Sequence, residues 1–141
     1  MTATFGLTMH HLGLAVSRED DARRFLDGLG YEFGELVYDP EQDVNLRLAT
    51  GEALPTIELI MPGERDGPLT PILKRYNELI YHTCYESLDP EASIAAMEHA
   101  GLRVMPVAEP RPAVLFGGRR VSFHAVPGFG LIELLEAPNP R

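Results

Sequence analysis

Two histidines occupy matched positions in the two halves of this 141-residue sequence. His11 stands 19 residues before Gly30, and His82 stands 19 residues before Gly101. An imidazole can bind a metal ion or transfer a proton at neutral pH, although a single histidine on a strand is more often a core or surface residue that forms hydrogen bonds. The repetition calls for one explanation of both.

Each half also ends with a glutamate set among aliphatic residues. Glu58 lies in the run Thr-Ile-Glu-Leu-Ile and Glu133 in the run Leu-Ile-Glu-Leu-Leu, and both runs are typical of strands. A carboxylate buried in such a run is costly unless it gains a counter-charge, hydrogen bonds or a metal ion. If each glutamate joins the histidine of its half, about a pseudo-twofold axis, the repeat predicts one metal site with the ligands His11, Glu58, His82 and Glu133. Zn, Co, Ni, Mn and Fe all suit such ligands, and the choice among them stays open.

The first element that must position these ligands is a helix predicted to end at Gly30. Ser17 and Asp20 have the spacing of a capping box at its start. Apolar residues then recur at the i, i+3, i+4, i+7 spacing of a one-sided helix: Ala22, Phe25, Leu26 and Leu29. This side of the helix is predicted to pack on a sheet.

The second half repeats the helix with different end signals. Asp89 can cap it with Pro90 at the first helical position, and Gly101 ends it. Its predicted buried stripe consists of Ile94, Met97 and Ala100. Between the halves, Thr70 and Pro71 predict a short linker helix.

Short apolar runs separated by glycine and proline predict the strands. The clearest are residues 44–48, 56–60, 121–126 and 131–135. Each half therefore predicts a βαβββ module, and the expected fold class is α+β, with two tandem modules whose sheets form an open, barrel-like cleft for metal and substrate. We expect one domain over the whole chain, with a first module at residues 8–65, a linker helix at residues 66–79 and a second module at residues 80–138, all approximate.

Composition narrows the classes of partner. Hydrophobic residues make up 45% of the chain and charged residues 23%, the balance of a soluble globular protein. A formal net charge of −9 argues against nucleic-acid binding, which depends on Lys and Arg. No apolar stretch approaches the roughly 20 residues of a spanning helix, and no export signal is visible, so we expect no membrane partner. The single cysteine, Cys84, excludes an internal disulfide and fits a cytoplasmic protein.

These residues resemble the vicinal-oxygen-chelate superfamily, which includes glyoxalase I, extradiol dioxygenases, fosfomycin-resistance proteins and methylmalonyl-CoA epimerases. The resemblance covers nearly the whole chain and is strongest to the epimerase-like branch. The segments that resemble its opening strand, its linker and its closing strands are residues 11–16, 68–73 and 109–135. The resemblance implies a homodimer, and it implies one divalent metal ion bound by His11, His82 and Glu133, with Glu58 as the fourth ligand where some relatives have glutamine.

The sequence also departs from the epimerases. One bacterial type has a candidate catalytic glutamate on the strand that matches residues 44–48, where this chain has Leu46. Tyr81 stands where the epimerases usually have a second histidine, and the stretch after Phe123 lacks their usual Leu-His-Pro-Lys. These departures argue against methylmalonyl-CoA itself as the substrate.

The predicted function is that of a metal-dependent isomerase, epimerase or lyase. The resemblance implies an enolate-type intermediate formed from a small carbonyl, hydroxy-acid or acyl-thioester substrate. Glu133 is the leading candidate to remove the proton, and Glu58 to return it to the other face. Two alternatives stay open, a metal-free small-molecule (antibiotic) binding protein of the same fold and an extradiol-type dioxygenase, which would hold Fe(II) with two histidines and one carboxylate.

Four further residues are candidates for contact with the substrate: Leu46, Cys84, Arg119 and His124. Cys84 shares the strand face of His82 and is expected to act as a small buried hydrophobe rather than a nucleophile. Arg119 can bind a carboxylate or phosphate, but its neighbour Arg120 points the other way, so at most one of the two reaches a pocket. His124 is a candidate acid or base, although a histidine at a strand end is more often exposed.

Overall fold

The computed structural model describes residues 4–138 of the chain. Within these residues the chain forms two compact units, a first unit of His11–Tyr81 and a second unit of residues 4–10 together with residues 82–138. The described residues contain ten strands, three α-helices and a 3₁₀ helix at Val114–Phe116. In chain order these strands and α-helices are β1 (Leu7–Val16), α1 (Asp20–Gly28), β2 (Glu32–Phe33), β3 (Val37–Asp39), β4 (Val44–Gly51), β5 (Leu54–Pro62), α2 (Leu69–Arg75), β6 (Glu78–Ser87), α3 (Pro90–His99), β7 (Met105–Pro106), β8 (Arg111–Pro112), β9 (Arg120–Val126) and β10 (Gly130–Glu136). Among the helices of residues 4–138, none has the length and apolar character needed to cross a membrane.

The first unit contains a mixed sheet in the strand order β2, β4, β5, β1, with β3 also paired to β4. β4 and β5 form an antiparallel hairpin, and β1 runs parallel to β5. Because successive side chains of a strand point to opposite faces, one face of this sheet is free to pack against α1. The core on that face contains Val16, Leu26, Tyr31, Ala49, Leu59 and Met61.

The second unit has a sheet in the order β6, β10, β9, β7, with β8 also paired to β9. β10 runs parallel to β6 and antiparallel to β9. One face packs on α3 through a core of Met97, Val104, Val126, Ile132 and Leu134. A smaller cluster on the opposite face consists of Cys84, Val121 and Leu135. The combination of helices with mixed sheets confirms the predicted α+β class.

α1 and α3 each end two residues before the glycine that the sequence predicted as the stop signal. Gly30 has φ +100° and Gly101 has φ +93°, a backbone region that favours glycine. After each helix, the glycine donates its N–H to the carbonyl three residues back, and the next residue donates to the carbonyl five residues back. This is the Schellman arrangement, and its occurrence in both units reproduces the sequence repeat in the backbone.

The start of α1 differs from the prediction, because the capping box is not formed. α1 begins at Asp20, and Glu19 precedes it without a capping hydrogen bond from its side chain. Ser17 instead donates its backbone N–H to the carbonyl of Asn77 at 3.0 Å. The Glu19 carboxylate accepts two hydrogen bonds from the guanidinium of Arg47, at 2.9 and 3.0 Å. The side chain of Glu19, which precedes the helix, therefore forms an ion pair with Arg47 of β4 and does not cap α1.

The apolar stripe predicted for α1 is only half correct. Leu26 is buried and Ala22 is half-buried, but Phe25 is 69% exposed and Leu29 is 51% exposed. Ala22 and Leu26 are one turn apart and face the sheet, whereas Phe25 lies a quarter of a turn away. Leu29 follows the last helical residue, so it leaves the packed side altogether.

α3 begins as predicted. Asp89 accepts a hydrogen bond through its side chain from the N–H of Ala92 at 3.1 Å. Of the predicted stripe, Met97 is buried and Ile94 is half-buried. Ala100 is exposed, because it is the capping residue at the end of the helix rather than part of its packed side.

The helix between the halves is α2, which lies inside the segment predicted for the linker. The hydroxyl of Thr70 accepts a hydrogen bond from the N–H of Gly67 at 2.8 Å. Leu69 and Leu73 are the buried residues of this helix.

Candidate active site

In the second unit, the histidine and the glutamate of the repeat lie side by side. β10 is registered on β6 with Glu133 opposite Cys84, so Glu133 and His82 share one face of the sheet. Nε2 of His82 lies 3.2 Å from Oε1 of Glu133, and both side chains are buried. Phe123 of β9 is opposite Glu133, and its ring meets the His82 ring edge-on at a centroid distance of 5.2 Å. Three strands thus hold this pair.

The first unit arranges its own pair in the same way. β1 is registered on β5 with Gly13 opposite Glu58, so His11 and Glu58 share one face. Nε2 of His11 lies 3.6 Å from Oε1 of Glu58. His11 has no exposed surface and Glu58 is 5% exposed. On the other side of Glu58, β4 places Leu48 opposite it.

The strand register therefore repeats between the units. In each, the glutamate is opposite the residue two places after the histidine, which is Gly13 in the first unit and Cys84 in the second. On its other side the glutamate is opposite an apolar residue, Leu48 or Phe123. Within each unit, the fold brings together the histidine and the glutamate that the sequence singled out.

The donor atoms of each pair fit a divalent transition-metal ion. An imidazole nitrogen and a carboxylate oxygen are both ligands of such ions, and each of the four side chains offers one ligand atom. Burial strengthens the fit, because a carboxylate removed from water needs a positive partner or hydrogen bonds. In both pairs the imidazole nitrogen and the carboxylate oxygen face each other at close range. The donor chemistry of these residues is suited to a divalent metal ion.

The family of this chain follows from its match to a known sequence model. The model described as the Glyoxalase/Bleomycin resistance protein/Dioxygenase superfamily matches residues 10–123, which is most of the chain. The chain belongs to this superfamily. A comparison with curated proteins gives no match. The superfamily membership confirms the resemblance that the repeated residues carry.

Several solved structures are similar to this chain over almost its full length. Methylmalonyl-CoA epimerase from Mycobacterium tuberculosis is 25% identical, with a TM-score of 0.78, over 98% of this chain and 94% of that one. A variant of the Streptomyces coelicolor epimerase, in complex with 2-nitronate-propionyl-CoA, is 26% identical, with a TM-score of 0.71, over 93% and 95% of the two chains. A hypothetical protein from Bacillus halodurans shares the fold at 23% identity and a TM-score of 0.78, over 96% and 97%. These likenesses confirm the predicted fold, and they include epimerases, the branch that the sequence resembles.

Leu46 and Cys84, two of the predicted contacts with substrate, lie on the same sheet faces as the glutamates of their units. Leu46 is buried two residues before Leu48, so it shares the face of Glu58. Cys84 has no exposed surface and packs with Leu135. Its environment is that of a small buried hydrophobe, as the sequence favours.

The two arginines of this superfamily member separate as their adjacency predicts. Nη1 of Arg119 donates to Oε2 of Glu86 at 2.6 Å and to the carbonyl of Glu136 at 3.2 Å. Glu86 lies two residues beyond Cys84 on β6, so it shares the face of the His82 pair. Arg120 lies on the other side and approaches the Glu136 carboxylate at 3.6 Å, where both are largely exposed. Arg119 is therefore the arginine on the side of the candidate site.

His124 lies elsewhere than the sequence suggests. It is not exposed at a strand end but buried in β9, with 6% of its surface exposed. Because Phe123 shares the face of Glu133, its neighbour His124 points to the opposite face, where its Nε2 lies 2.9 Å from Oγ of Ser122. Burial lowers the pKa of His124. This histidine does not line the face that carries His82 and Glu133.

Three residues near the second pair were missed by sequence reasoning. Phe123 contacts His82, Phe116 packs against the Cys84 cluster and Glu86 binds Arg119. The even spacing of Glu86 from His82 was a usable signal, since it places both on one strand face. No comparable signal marks the two phenylalanines, because their contacts depend on which distant strands pair.

Proposed function

We propose that this protein is a metal-dependent isomerase, epimerase or lyase, and that one divalent ion binds the four residues His11, Glu58, His82 and Glu133. The proposed reaction removes a proton from the carbon beside a carbonyl group and passes through an enolate of the substrate. The ion, when bound, would supply positive charge that stabilises a carbonyl oxygen as it becomes negative. The observation that carries the proposal is a buried imidazole beside a buried carboxylate in both units.

Glu133 is the proposed base. The residue is 5% exposed and lies between Cys84 and Phe123 on the neighbouring strands, so little water competes for a proton that its carboxylate removes. Glu58 is the proposed partner that returns a proton, because it holds the equivalent place in the repeat. Two carboxylates that act on opposite faces of one carbon would invert its configuration, which is epimerase chemistry.

The proposed substrates are acyl thioesters, 2-oxo acids and 2-hydroxy acids. Acyl thioesters come first, because the similar Streptomyces coelicolor epimerase variant is solved with 2-nitronate-propionyl-CoA. The face beside Glu58 carries the buried aliphatic residues Leu46 and Ile60, so the substrate group that contacts it is expected to be apolar. Arg119, positioned by Glu86, is the proposed contact for an anionic group.

Metal content is the first test. The protein is purified without a metal-binding tag, dialysed and subjected to elemental analysis, and we expect close to one divalent ion per chain. Protein stripped with a chelator should regain thermal stability when Zn, Co, Ni, Mn or Fe(II) is added, because an ion that binds only the folded state stabilises it. Absence of both effects would contradict the proposal and favour a metal-free binding protein of the same fold.

Deuterium exchange is the second test. Candidate substrates are incubated with the protein in deuterated water, and proton NMR follows the signal of the carbon-bound hydrogen beside the carbonyl. We expect exchange in the presence of metal-loaded protein and none with chelator-treated protein. Turnover of a substrate without exchange would show that no enolate forms. Oxygen consumption with catechols and Fe(II) would instead indicate the dioxygenase alternative.

We also propose that the protein is a homodimer that acts in the cytoplasm. Closed twofold pairs are the commonest assemblies of soluble proteins. Light scattering should return twice the chain mass of 15.6 kDa at micromolar concentration. A mass near 15.6 kDa would contradict the dimer.

A further inference from the structure

The second unit has a groove on the sheet face opposite to its histidine–glutamate pair. The groove has a volume of about 800 Å³ and lies where α3 and the segment after β7 border β9. Ser122 and His124 of β9 both line it. Its volume is within the range of small-molecule sites, which is roughly 300–1,000 Å³.

His124 is the unusual feature of this groove. The residue is 6% exposed, and its Nε2 interacts with Ser122 at 2.9 Å. Its Nδ1 is buried and has no hydrogen-bond partner within the described part of the chain. Burial lowers the pKa of His124, so the ring is neutral at neutral pH. A buried polar atom that no protein group satisfies calls for an explanation such as a bound ligand or water.

In the first unit, the equivalent sheet face is filled by the hydrophobic core. Ala49 holds the place in β4 that His124 holds in β9, since each follows the residue opposite the glutamate. Ala49 has no exposed surface and packs in the core with Leu26 and Tyr31 of the first unit. The equivalent place in the second unit carries a polar ring beside an open groove instead.

The charges around the groove are mainly negative. Four carboxylate residues and one arginine line it: Asp89, Glu91, Glu109, Glu136 and Arg120. Asp89 caps α3, and Glu136 is 3.6 Å from Arg120. Glu91 and Glu109 are exposed, and within residues 4–138 neither has an ion-pair partner. Between the carboxylates, the walls are apolar and include Leu88, Ile94 and Val107.

We propose that this groove binds a small organic cation with an apolar body. Glu91 and Glu109 would attract its ammonium group, Ile94 and Val107 would contact its hydrocarbon part, and the uncharged Ser122–His124 pair would supply hydrogen-bonding atoms. This site is separate from the candidate active site, because Ser122 and His124 lie on the face of β9 opposite to the one that carries Phe123 and faces Glu133. Binding of the cation therefore requires neither the metal ion nor turnover.

NMR of the full chain with 2-phenylethylamine tests the proposal. Its matched control is 3-phenylpropanoate, which has the same ring and similar length but the opposite charge. With ¹⁵N-labelled protein, we expect the amine to shift the ring nitrogens of His124 and the amide signals of Ile94 and Ala108 at millimolar concentration. The anion should leave these signals unchanged. Absence of shifts with the amine, or equal shifts with both probes, would overturn the proposal.

Variants decide whether the named residues make the site. The double variant Glu91→Gln with Glu109→Gln should bind the amine about threefold to tenfold more weakly, the range expected from two exposed ion pairs. Glu98→Gln, an exposed carboxylate of the same helix outside the groove, should bind like the unchanged protein. Ser122→Ala should also weaken binding, and it provides a second test if His124→Gln does not fold. Unchanged affinity in the double variant and in Ser122→Ala would show that the amine binds elsewhere.

Discussion

The two units place their histidine and glutamate in the same strand register, but they differ in the side chains next to the glutamate. In both, a histidine and a glutamate share one sheet face, and the glutamate is opposite the second residue after the histidine. That second residue is Gly13 in one unit and Cys84 in the other, and the strand on the far side presents Leu48 in one unit and Phe123 in the other. The Nε2–Oε1 distance also differs, 3.6 Å in the first unit and 3.2 Å in the second.

The repeat therefore contains two kinds of position, those that are the same in both units and those that differ. The positions that are the same carry the candidate ligands, as expected if both units serve one ion. The positions that differ lie beside the glutamates on the neighbouring strands, and the second unit has the larger side chains there. We therefore expect the two units to contribute equally to metal binding and unequally to proton transfer.

Loss of either histidine should have the largest effect. His11→Ala and His82→Ala are each expected to weaken metal binding by at least about 100-fold, the upper end of the loss found for groups that only support a ligand. The dissociation constant is measured by competition with a chromophoric chelator. His99→Ala, an exposed histidine at the end of α3, is the control and should bind metal normally. A large loss in only one of the two variants would show that the units do not share an ion.

Replacement of the glutamates should show that the two units contribute unequally to proton transfer. Glu133→Gln is expected to lower both deuterium exchange and turnover by at least about 10²-fold, as for a lost general base. Glu58→Gln is expected to abolish the change of configuration while exchange from the starting isomer continues. The two readouts come from NMR and chiral chromatography, with metal content measured in parallel. Full activity of metal-loaded Glu133→Gln would exclude Glu133 as the base.

The helix ends should behave alike in the two units. Alanine at Gly30 or Gly101 places a Cβ on a backbone with φ near +100° or +93°, where no heavy atom lies within 4 Å, so backbone strain alone determines the cost. We expect each variant to lose about 1–2 kcal/mol of unfolding free energy, measured by urea titration. Gly28→Ala is the matched control, because Gly28 is the last residue of α1 and does not have a positive φ, so alanine there should not lower the free energy of unfolding. Unequal losses at Gly30 and Gly101 would contradict the structural equivalence.

The helix starts should behave differently. Asp89→Ala removes the side-chain hydrogen bond to the N–H of Ala92 and is expected to cost about 0.5–2 kcal/mol. Ser17→Ala removes no capping bond from α1, so its unfolding free energy should stay within about 0.5 kcal/mol of the unchanged protein. Denaturant unfolding of both variants checks this contrast. A large loss from Ser17→Ala would mean that the capping box does form.

The pH dependence of stability should reflect His124. Its counterpart in the first unit is Ala49, which has no titratable side chain. Because burial lowers the pKa of His124 below its ordinary value of 6.5, the unfolded chain takes up a proton first as the pH falls. Its contribution to stability is therefore complete above pH 6.5 and decreases toward the lowered pKa. We expect His124→Gln to lose less stability than the unchanged protein over this window, as measured by urea unfolding. His99→Gln should keep the original slope, and an unchanged slope in His124→Gln would contradict the assignment.

Local signals in the sequence predicted the parts of the fold that depend on few residues. The backbone after each helix turns through a positive φ, and glycine adopts this φ readily because it has no side chain. Gly30 and Gly101 could therefore be recognised as stop signals from the residue type alone. Asp89 caps α3 because the acceptor and its donor are three residues apart. The repeat of histidine and glutamate predicted the two pairs, since strand alternation and matched register follow from the repeat.

Tertiary structure decided what depends on distant partners. Phe25 is exposed because packing selected the Ala22 side of α1, and Arg119 is held by a carboxylate 33 residues away. His124 is buried on the face opposite to Glu133 because the pairing of β9 with β10 sets which side chain faces which way, and a shift of one residue would reverse it. The sequence by itself determined the repeated histidine–glutamate pairs and the helix ends. The residues that surround the glutamates and the groove beside His124 were decided by strand register and by packing between segments far apart in the chain.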